Sequence, residues 1–264
     1  MSAASASDKP PRVLIIAGSD SSGGAGIQAD IKTVTALGGY AMTAITAITA
    51  QNTLGVQAAE VLSPDLVVAQ VDACTSDIGA DAVKIGMLGS PDIAHAVADR
   101  LEAFDIPVVF DPVMVATSGS VLADEATIAA FERLMPLATV VTPNLPELEA
   151  LTGLPVASLA KVEQAATALA QRTGSAVLAK GGHGDNDLLV DLLVQPDGAV
   201  NRFEAERINT RHTHGTGCTL ASAIATLAGK GVELKSALQP ARDYVRRAIM
   251  NAPKFGEGSG PLGH

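Results

Sequence analysis

The stretch RHTHGTGCTLASAIATLAGK, from Arg211 to Lys230, sets Gly215-Thr216-Gly217 directly ahead of Cys218 and an unbroken run of small, apolar residues. Glycines let successive backbone N–H groups converge into a concave nest, and a helix that starts there adds the positive end of its dipole. Such a nest suits an anion. The group that gathers negative charge in phosphoryl transfer is one candidate, because that chemistry depends mainly on positioning and electrostatic stabilisation. Cys218 then stands at a helix N-terminus, where a thiol pKa is lowered toward neutrality and the thiolate can take up a proton. The competing reading is a small apolar residue packed under a sheet, and Cys74 in VVAQVDACTSDI fits that description better.

Other candidates stand at the ends of apolar runs. Asp111 directly follows PVVF, and Asn144 and Glu147 follow TVVTP. Carboxylates at successive strand ends can hold Mg²⁺ through waters, although Glu147 in a first helical turn is also explained by the dipole. Lys180 ends AVLAK, where it either touches a nucleotide phosphate or is simply solvated. Gln51 and Asn52 in TAITAQNTLGV offer a donor and an acceptor each, the pattern needed by a heteroaromatic ring bearing an amine beside a ring nitrogen; a turn-forming pair is the alternative. Met87 in KIGML is either a polarisable floor for a flat ring or core filler.

The loop GSDSSGGAGIQAD, starting at Gly18, reads as a ligand loop rather than a turn that only permits tight packing. It is not a dinucleotide fingerprint: Gly24 lies well past Ala17, and no acidic residue ends a second strand at the expected distance. Nor is it a P-loop, since no Gly-Lys-Ser/Thr follows. Asp30, one turn further on, either accepts from a substrate hydroxyl or amine or favours the helix start.

These residues need strands to end beside them. Short, nearly continuous apolar runs occur at Arg12 to Ala17, Asp81 to Ile85, Pro107 to Phe110, Thr139 to Thr142 and Ala176 to Lys180, as in strands buried on both faces. Helical segments fall between them at Ile27 to Leu37, Asp65 to Asp77, Pro91 to Phe104, Asp124 to Met135 and Lys161 to Arg172, with Ser63-Pro64 and Ser90-Pro91 as start signals. The alternation predicts a parallel sheet covered on both faces, with ligands bound beyond the carboxyl ends of its strands. Pro196-Asp197-Gly198 between two alternating segments predicts a hairpin and an antiparallel edge. YAMTAITAITA and QAAEVL are further strand candidates.

The composition is that of a compact globular protein. The chain has 264 residues, of which 47% are hydrophobic and 17% charged, and its formal charge of −10 leaves no extended basic face for nucleic acid. Its two cysteines are too few for a disulfide framework and are not clustered for zinc, which suits a reducing cytoplasm. MSAASASDKPP is not a secretory signal and no apolar run reaches the roughly 20 residues of a membrane span. Residues 1–10 are expected to form a loose tail and 11–264 a single domain.

In family order, AGSDSSGGAGIQADIKT, TAITAQNTLGVQ, KIGML, DPVM, TPNLPELEALTG, KGGH and THGTGCTLASAIA span almost the whole chain after that tail. Together they resemble the hydroxymethylpyrimidine and phosphomethylpyrimidine kinases of thiamine biosynthesis, in the ribokinase superfamily; GEGSGP resembles the family's glycine-rich terminus. The resemblance implies a three-layer α/β/α fold with a mostly parallel central sheet and an antiparallel edge. It implies ATP-dependent phosphorylation of the pyrimidine's hydroxymethyl oxygen and then of the monophosphate. Gly215, Thr216 and Gly217 would form the anion hole, with Cys218 where relatives usually carry an aspartate base. Gly18, Asp30, Gln51, Met87 and Val113 match substrate-pocket positions; Asn144, Lys180 and Thr213 match the ATP side, and Asp111 and Glu147 the Mg²⁺ side. The family suggests a homodimer. His212 departs from the asparagine of many members. A pyridoxal or pyridoxine kinase of the same fold is the nearest rival, and a non-catalytic vitamin-binding protein is the rival from another class.

Overall fold

The computed structural model describes residues 9–116, 119–181 and 187–264. The elements run β1 (Arg12–Asp20), α1 (Gly26–Ala36), β2 (Tyr40–Asn52), β3 (Gly55–Val61), α2 (Pro64–Asp77), β4 (Ala82–Ile85), α3 (Pro91–Leu101), β5 (Val108–Phe110) and α4 (Glu125–Leu134). They continue with a 3₁₀ turn (Met135–Leu137), β6 (Val140–Val141), α5 (Leu145–Thr152), α6 (Leu159–Thr173), β7 (Ala176–Ala179), β8 (Leu188–Val194), β9 (Val200–Glu206), α7 (Thr216–Gly229) and α8 (Leu234–Met250). The strands form one sheet in the order β3-β2-β1-β4-β5-β6-β7-β8-β9.

The interior from β2 to β7 is parallel, as the βαβ rhythm predicts. The hairpin around Pro196-Asp197-Gly198 forms the antiparallel pair β8 and β9. A second antiparallel edge stands opposite it, where β3 folds back on β2. β1 runs three residues beyond the apolar run that marks it, because Ser19 and Asp20 pair with Ile48 and Thr49 of β2 after a register shift.

Alternation along β1 explains why its run is apolar throughout. Leu14 and Ile16 face one core with Val67 of α2, Ile93 of α3, Phe131 of α4, Leu148 of α5 and Val162 of α6. Val13, Ile15 and Ala17 face the other, with Val34 of α1, Ile224 of α7 and Leu238 of α8. The result is the expected three-layer α/β/α arrangement. α7 is buried on all sides from Thr219 to Thr226, and its small residues let it lie close against the sheet and both neighbouring helices. Strand order reverses at β1, where β2 lies to one side and β4 to the other, and the crevice beyond these strand ends is where such a sheet receives ligands.

Candidate active site

Two helix starts meet in that crevice. Gly215 caps α7 with φ +87°, and no side chain closes the first turn, so the N–H groups of Gly217 and Cys218 have no intrahelical acceptor. A side chain at Gly215 would be strained and would run into the Gly24 carbonyl, which is how the loop after β1 comes to press against the start of α7. α1 also starts without a side-chain cap, at Ala25, and the Gly26 N–H points at the Cys218 sulfur. The expected anion cradle is therefore flanked by the positive ends of two helices.

Cys218, half-buried as the third residue of α7, has a pKa pushed up to about 11. Burial is the main cause; the Lys84 ammonium and the Gly26 N–H pull it down, and Asp30 and Asp111 push it further up. This corrects the sequence-based expectation of a thiol lowered toward neutrality, because the helix dipole is outweighed by loss of water and by two nearby carboxylates.

Asp30, expected in the substrate pocket, is held by protein partners. Its carboxylate is fully buried, Oδ2 accepting from Lys84 Nζ at 2.8 Å and Oδ1 from Ser222 Oγ at 2.7 Å. It lies beneath the cradle with both oxygens taken. Burial works against the charge on Lys84, but the Asp30 carboxylate outweighs it and raises the lysine pKa above its ordinary value. Lys84 is absent from the sequence-derived site, yet it has a signal: a lysine inside DAVKI, a strand otherwise fit for burial, must find a carboxylate.

On the other side of the cradle, Asp111 Oδ1 accepts from Lys180 Nζ at 2.7 Å and from Thr142 Oγ1 at 3.0 Å. Asp111 Oδ2 and Lys180 Nζ both lie beside Gly217, so little room is left there for a side chain. Asn144 and Glu147 form a reciprocal capping box at the start of α5: Asn144 Oδ1 accepts from the Glu147 N–H at 2.9 Å and Glu147 Oε2 from the Asn144 N–H at 2.8 Å. Burial raises the Glu147 pKa to about 7; Lys180 opposes the rise and Asp111 adds to it. Val113 and Thr213 are half-buried nearby, their N–H groups turned onto Asp111 O and Arg211 O. Gly181, after Lys180, donates to Asp191 Oδ1 at 2.7 Å, and Asp191 is in turn paired with Arg242 at 2.8 Å. Gly182 and His183 lie outside the described residues.

Gly18 and Met87 are neighbours: a Cβ on Gly18 would meet Met87 Cε at 2.6 Å. Gln51, the last residue but one of β2, has its carboxamide 3.3 Å from His214 Nε2 and 3.2 Å from Thr49 Oγ1. His214 Nε2 lies 2.9 Å from Asp20 Oδ2, and Asp20 also receives the Ser22, Gly24 and Ala25 N–H groups. Burial raises the Asp20 pKa, but these hydrogen bonds, His214 first, bring it down to about 2. Sequence reasoning missed Asp20 and His214. An aspartate followed by Ser-Ser-Gly-Gly is a loop-organising signal, but only the fold brings the histidine to it. His212 is buried against Gly260, and its Nδ1 has no partner among the described residues. The glycine-rich C-terminal stretch is built in: Gly260 O accepts from the His214 N–H, and the Gly258 and Ser259 N–H groups reach Thr53.

An open-ended α/β/α sheet with uncapped helix starts and a lysine-bridged carboxylate at its strand ends defines a ribokinase-like small-molecule kinase. Residues 20–263 match the sequence profile described as phosphomethylpyrimidine kinase, and the chain belongs to that family. It is 49% identical over 255 residues to the hydroxymethylpyrimidine/phosphomethylpyrimidine kinase of Rhizobium meliloti strain 1021, covering 95% of this chain and 96% of that one. Among solved structures it resembles an ADP complex of Bacillus subtilis pyridoxal kinase, with TM-score 0.89 and 35% identity over 97% of this chain and 98% of that one. The phosphomethylpyrimidine kinase of Clostridium difficile 630 superposes with TM-score 0.80 and 39% identity over 91% of this chain and 100% of that one.

Proposed function

We propose that this kinase transfers the γ-phosphoryl group of ATP to the hydroxymethyl oxygen of 4-amino-5-hydroxymethyl-2-methylpyrimidine, and then a second one to the monophosphate. The observation that carries the reading is the convergence of the uncapped starts of α1 and α7 beside Asp111 and Lys180. In the first transfer the hydroxymethyl oxygen forms a bond to the γ-phosphorus, the bond from that phosphorus to the β,γ-bridging oxygen breaks, and ADP leaves. The Gly217 and Cys218 N–H groups and Lys180 face the charge on the migrating group. Gly18, Gln51, Met87 and Val113 hold the pyrimidine, and Asn144 and Thr213 border the nucleotide. Asp111 Oδ2 has no protein hydrogen bond among the described residues and, with the buried Glu147, suits an ion that completes its shell with water and phosphate. Held by Asp111 and Glu147, Mg²⁺ would neutralise phosphate charge.

Cys218 takes the hydroxyl proton as a base and forms no bond to phosphorus. With its pKa near 11 the free site holds a thiol, so kcat/KM rises with pH through the neutral and alkaline range. A flat profile there, or a trapped phosphocysteine, removes the base role. We further place residues 11–264 in one kinase domain that acts in the cytoplasm as a homodimer. Exposed Tyr40, Ile48 and Val61 on β2 and β3, with Leu54 in the turn between them, support a second copy, which light scattering checks. The central experiment incubates the purified protein with the pyrimidine, Mg²⁺ and ATP and follows mono- and diphosphate by mass spectrometry. Turnover of pyridoxine with a higher kcat/KM than the pyrimidine, or of neither, replaces this reading.

A further inference from the structure

We propose that Asp20, His214 and Thr49 are positioning residues that lock the Gln51 carboxamide in one of its two orientations, and that this lock decides the hydrogen-bond polarity of the ring the site accepts. The proposal rests on the aminopyrimidine reading above. Asp20 is buried and ionised at neutral pH, so its oxygens only accept. Oδ1 receives the Ser22 N–H and hydroxyl at 2.9 and 2.8 Å; Oδ2 receives the Gly24 and Ala25 N–H groups at 3.1 and 2.8 Å. The His214 Nε2 atom 2.9 Å from Oδ2 must therefore carry a hydrogen and donate it, whether the ring is neutral or charged.

A nitrogen that carries a hydrogen cannot accept from an amide NH₂. The structure records the Gln51 Nε2 3.3 Å from His214 Nε2, two donors face to face, so the carboxamide belongs the other way round, its oxygen sharing the imidazole N–H with Asp20. A second contact fits the same orientation. Thr49 Oγ1 has one proton and two acceptors in reach, the Ser19 carbonyl at 2.9 Å and Gln51 at 3.2 Å; with the proton on the nearer carbonyl, it offers Gln51 a lone pair. The Gln51 atom facing it must then be the NH₂. With the nitrogen toward His214 and the oxygen toward Thr49, both contacts would oppose like groups; a half-turn about the last side-chain bond resolves both and moves no other atom.

The orientation has a chemical consequence. Gln51 is left with one N–H on its Thr49 side and one oxygen lone pair on its His214 side. A complementary ring presents an acceptor and a donor on adjacent atoms in that order, as a ring nitrogen beside an exocyclic amine does. The 4-oxo analogue, with a ring N–H beside a carbonyl, presents the reverse and leaves two unmatched pairs.

Two measurements test this. Long-range ¹H–¹⁵N correlation of the wild-type His214 ring is expected to show hydrogen on Nε2, and a bare Nε2 overturns the proposal whatever the enzyme's substrate proves to be. In kinetics, the wild type is expected to prefer the 4-amino pyrimidine over its 4-oxo analogue by about a hundredfold in kcat/KM, roughly tenfold for each matched hydrogen bond. Thr49→Val and His214→Phe, made separately, are each expected to cut that preference about tenfold through KM rather than kcat, with folding followed by Tm. An unchanged preference in a folded variant, or a loss confined to kcat, overturns the lock. Wild-type failure to phosphorylate either pyrimidine overturns the functional reading, while the ring measurement still decides the orientation.

Discussion

At α2, α3, α4, α5, α6 and α8 a side chain closes the first turn, from Ser63, Ser90, Asp124, Asn144, Ser158 and Glu233 in that order, whereas α1 and α7 start at Ala25 and Gly215 with none. A cap stabilises a helix by about 1 kcal/mol, and the two starts that forgo it are the two that meet at Cys218. Apart from the Gly26 N–H, which points at the Cys218 sulfur, no side chain among the described residues closes these two starts. The floor below them is equally unlike the rest of the core, since Lys84 and Asp30 form an ion pair with no exposed surface where hydrocarbon would otherwise pack. A cap therefore marks a helix that only supports the sheet, and an open start marks one that faces the ligand crevice.

The floor offers the largest effect. Lys84→Met takes the cation from the buried Asp30 and leaves it only the Ser222 hydroxyl, and is expected to cost about 3–5 kcal/mol in urea unfolding, with Asp30→Leu added to it restoring much of the loss. A cost under about 1 kcal/mol for the single change would show that the pair does not hold the floor.

Next comes the open start of α7. Gly215→Ala places a side chain at positive φ against the Gly24 carbonyl and shifts the cradle; kcat is expected to fall about 10²–10³-fold, the measured loss for one missing oxyanion donor. A fall of less than tenfold in a folded variant breaks the link between open helix starts and catalysis.

The capped start of α5 lies between the two classes, because its Glu147 is both a cap and the carboxylate proposed for the metal side. Its folded pKa of about 7 exceeds the unfolded 4.5, so it binds a proton more tightly when folded. That contribution is complete below pH 4.5 and is lost as pH rises through 7. Glu147→Gln keeps the capping acceptor and removes the titration, so wild-type stability should fall relative to the variant by on the order of 2–3 kcal/mol across that window. Parallel curves would mean that Glu147 is not raised.

The smallest effect belongs to an ordinary cap. Ser90→Ala at α3 is expected to lower stability by about 1 kcal/mol in thermal melts and to leave kcat and KM as they were. A kinetic effect there would erase the distinction between supporting and ligand-facing helices.

Much of this arrangement is legible along the chain. The apolar runs from Arg12, Pro107 and Ala176 mark strands, and Ser63-Pro64 and Ser90-Pro91 start helices where the structure has them, because caps and periodicity are local. The antiparallel pair of β3 on β2 was less legible: YAMTAITAITA and QAAEVL show strand character but not which neighbour or direction each takes. Asp111, Lys180, Asn144 and Glu147 are site candidates in the sequence from their places after apolar runs, and the fold brings them to neighbouring strand ends. Asp20 and His214 are 194 residues apart, and nothing near either one in sequence points to the other.

Sequence by itself determined the three-layer parallel scaffold, the glycine turn ahead of Cys218 and the family, since each depends on short-range patterns of residue type. Only the tertiary structure decided the protonation of Cys218, the withdrawal of Asp30 onto Lys84 and the contacts around Gln51. Those depend on burial and on charges brought close by folding, and an electrostatic field in a poorly solvated interior is a property of distances in space.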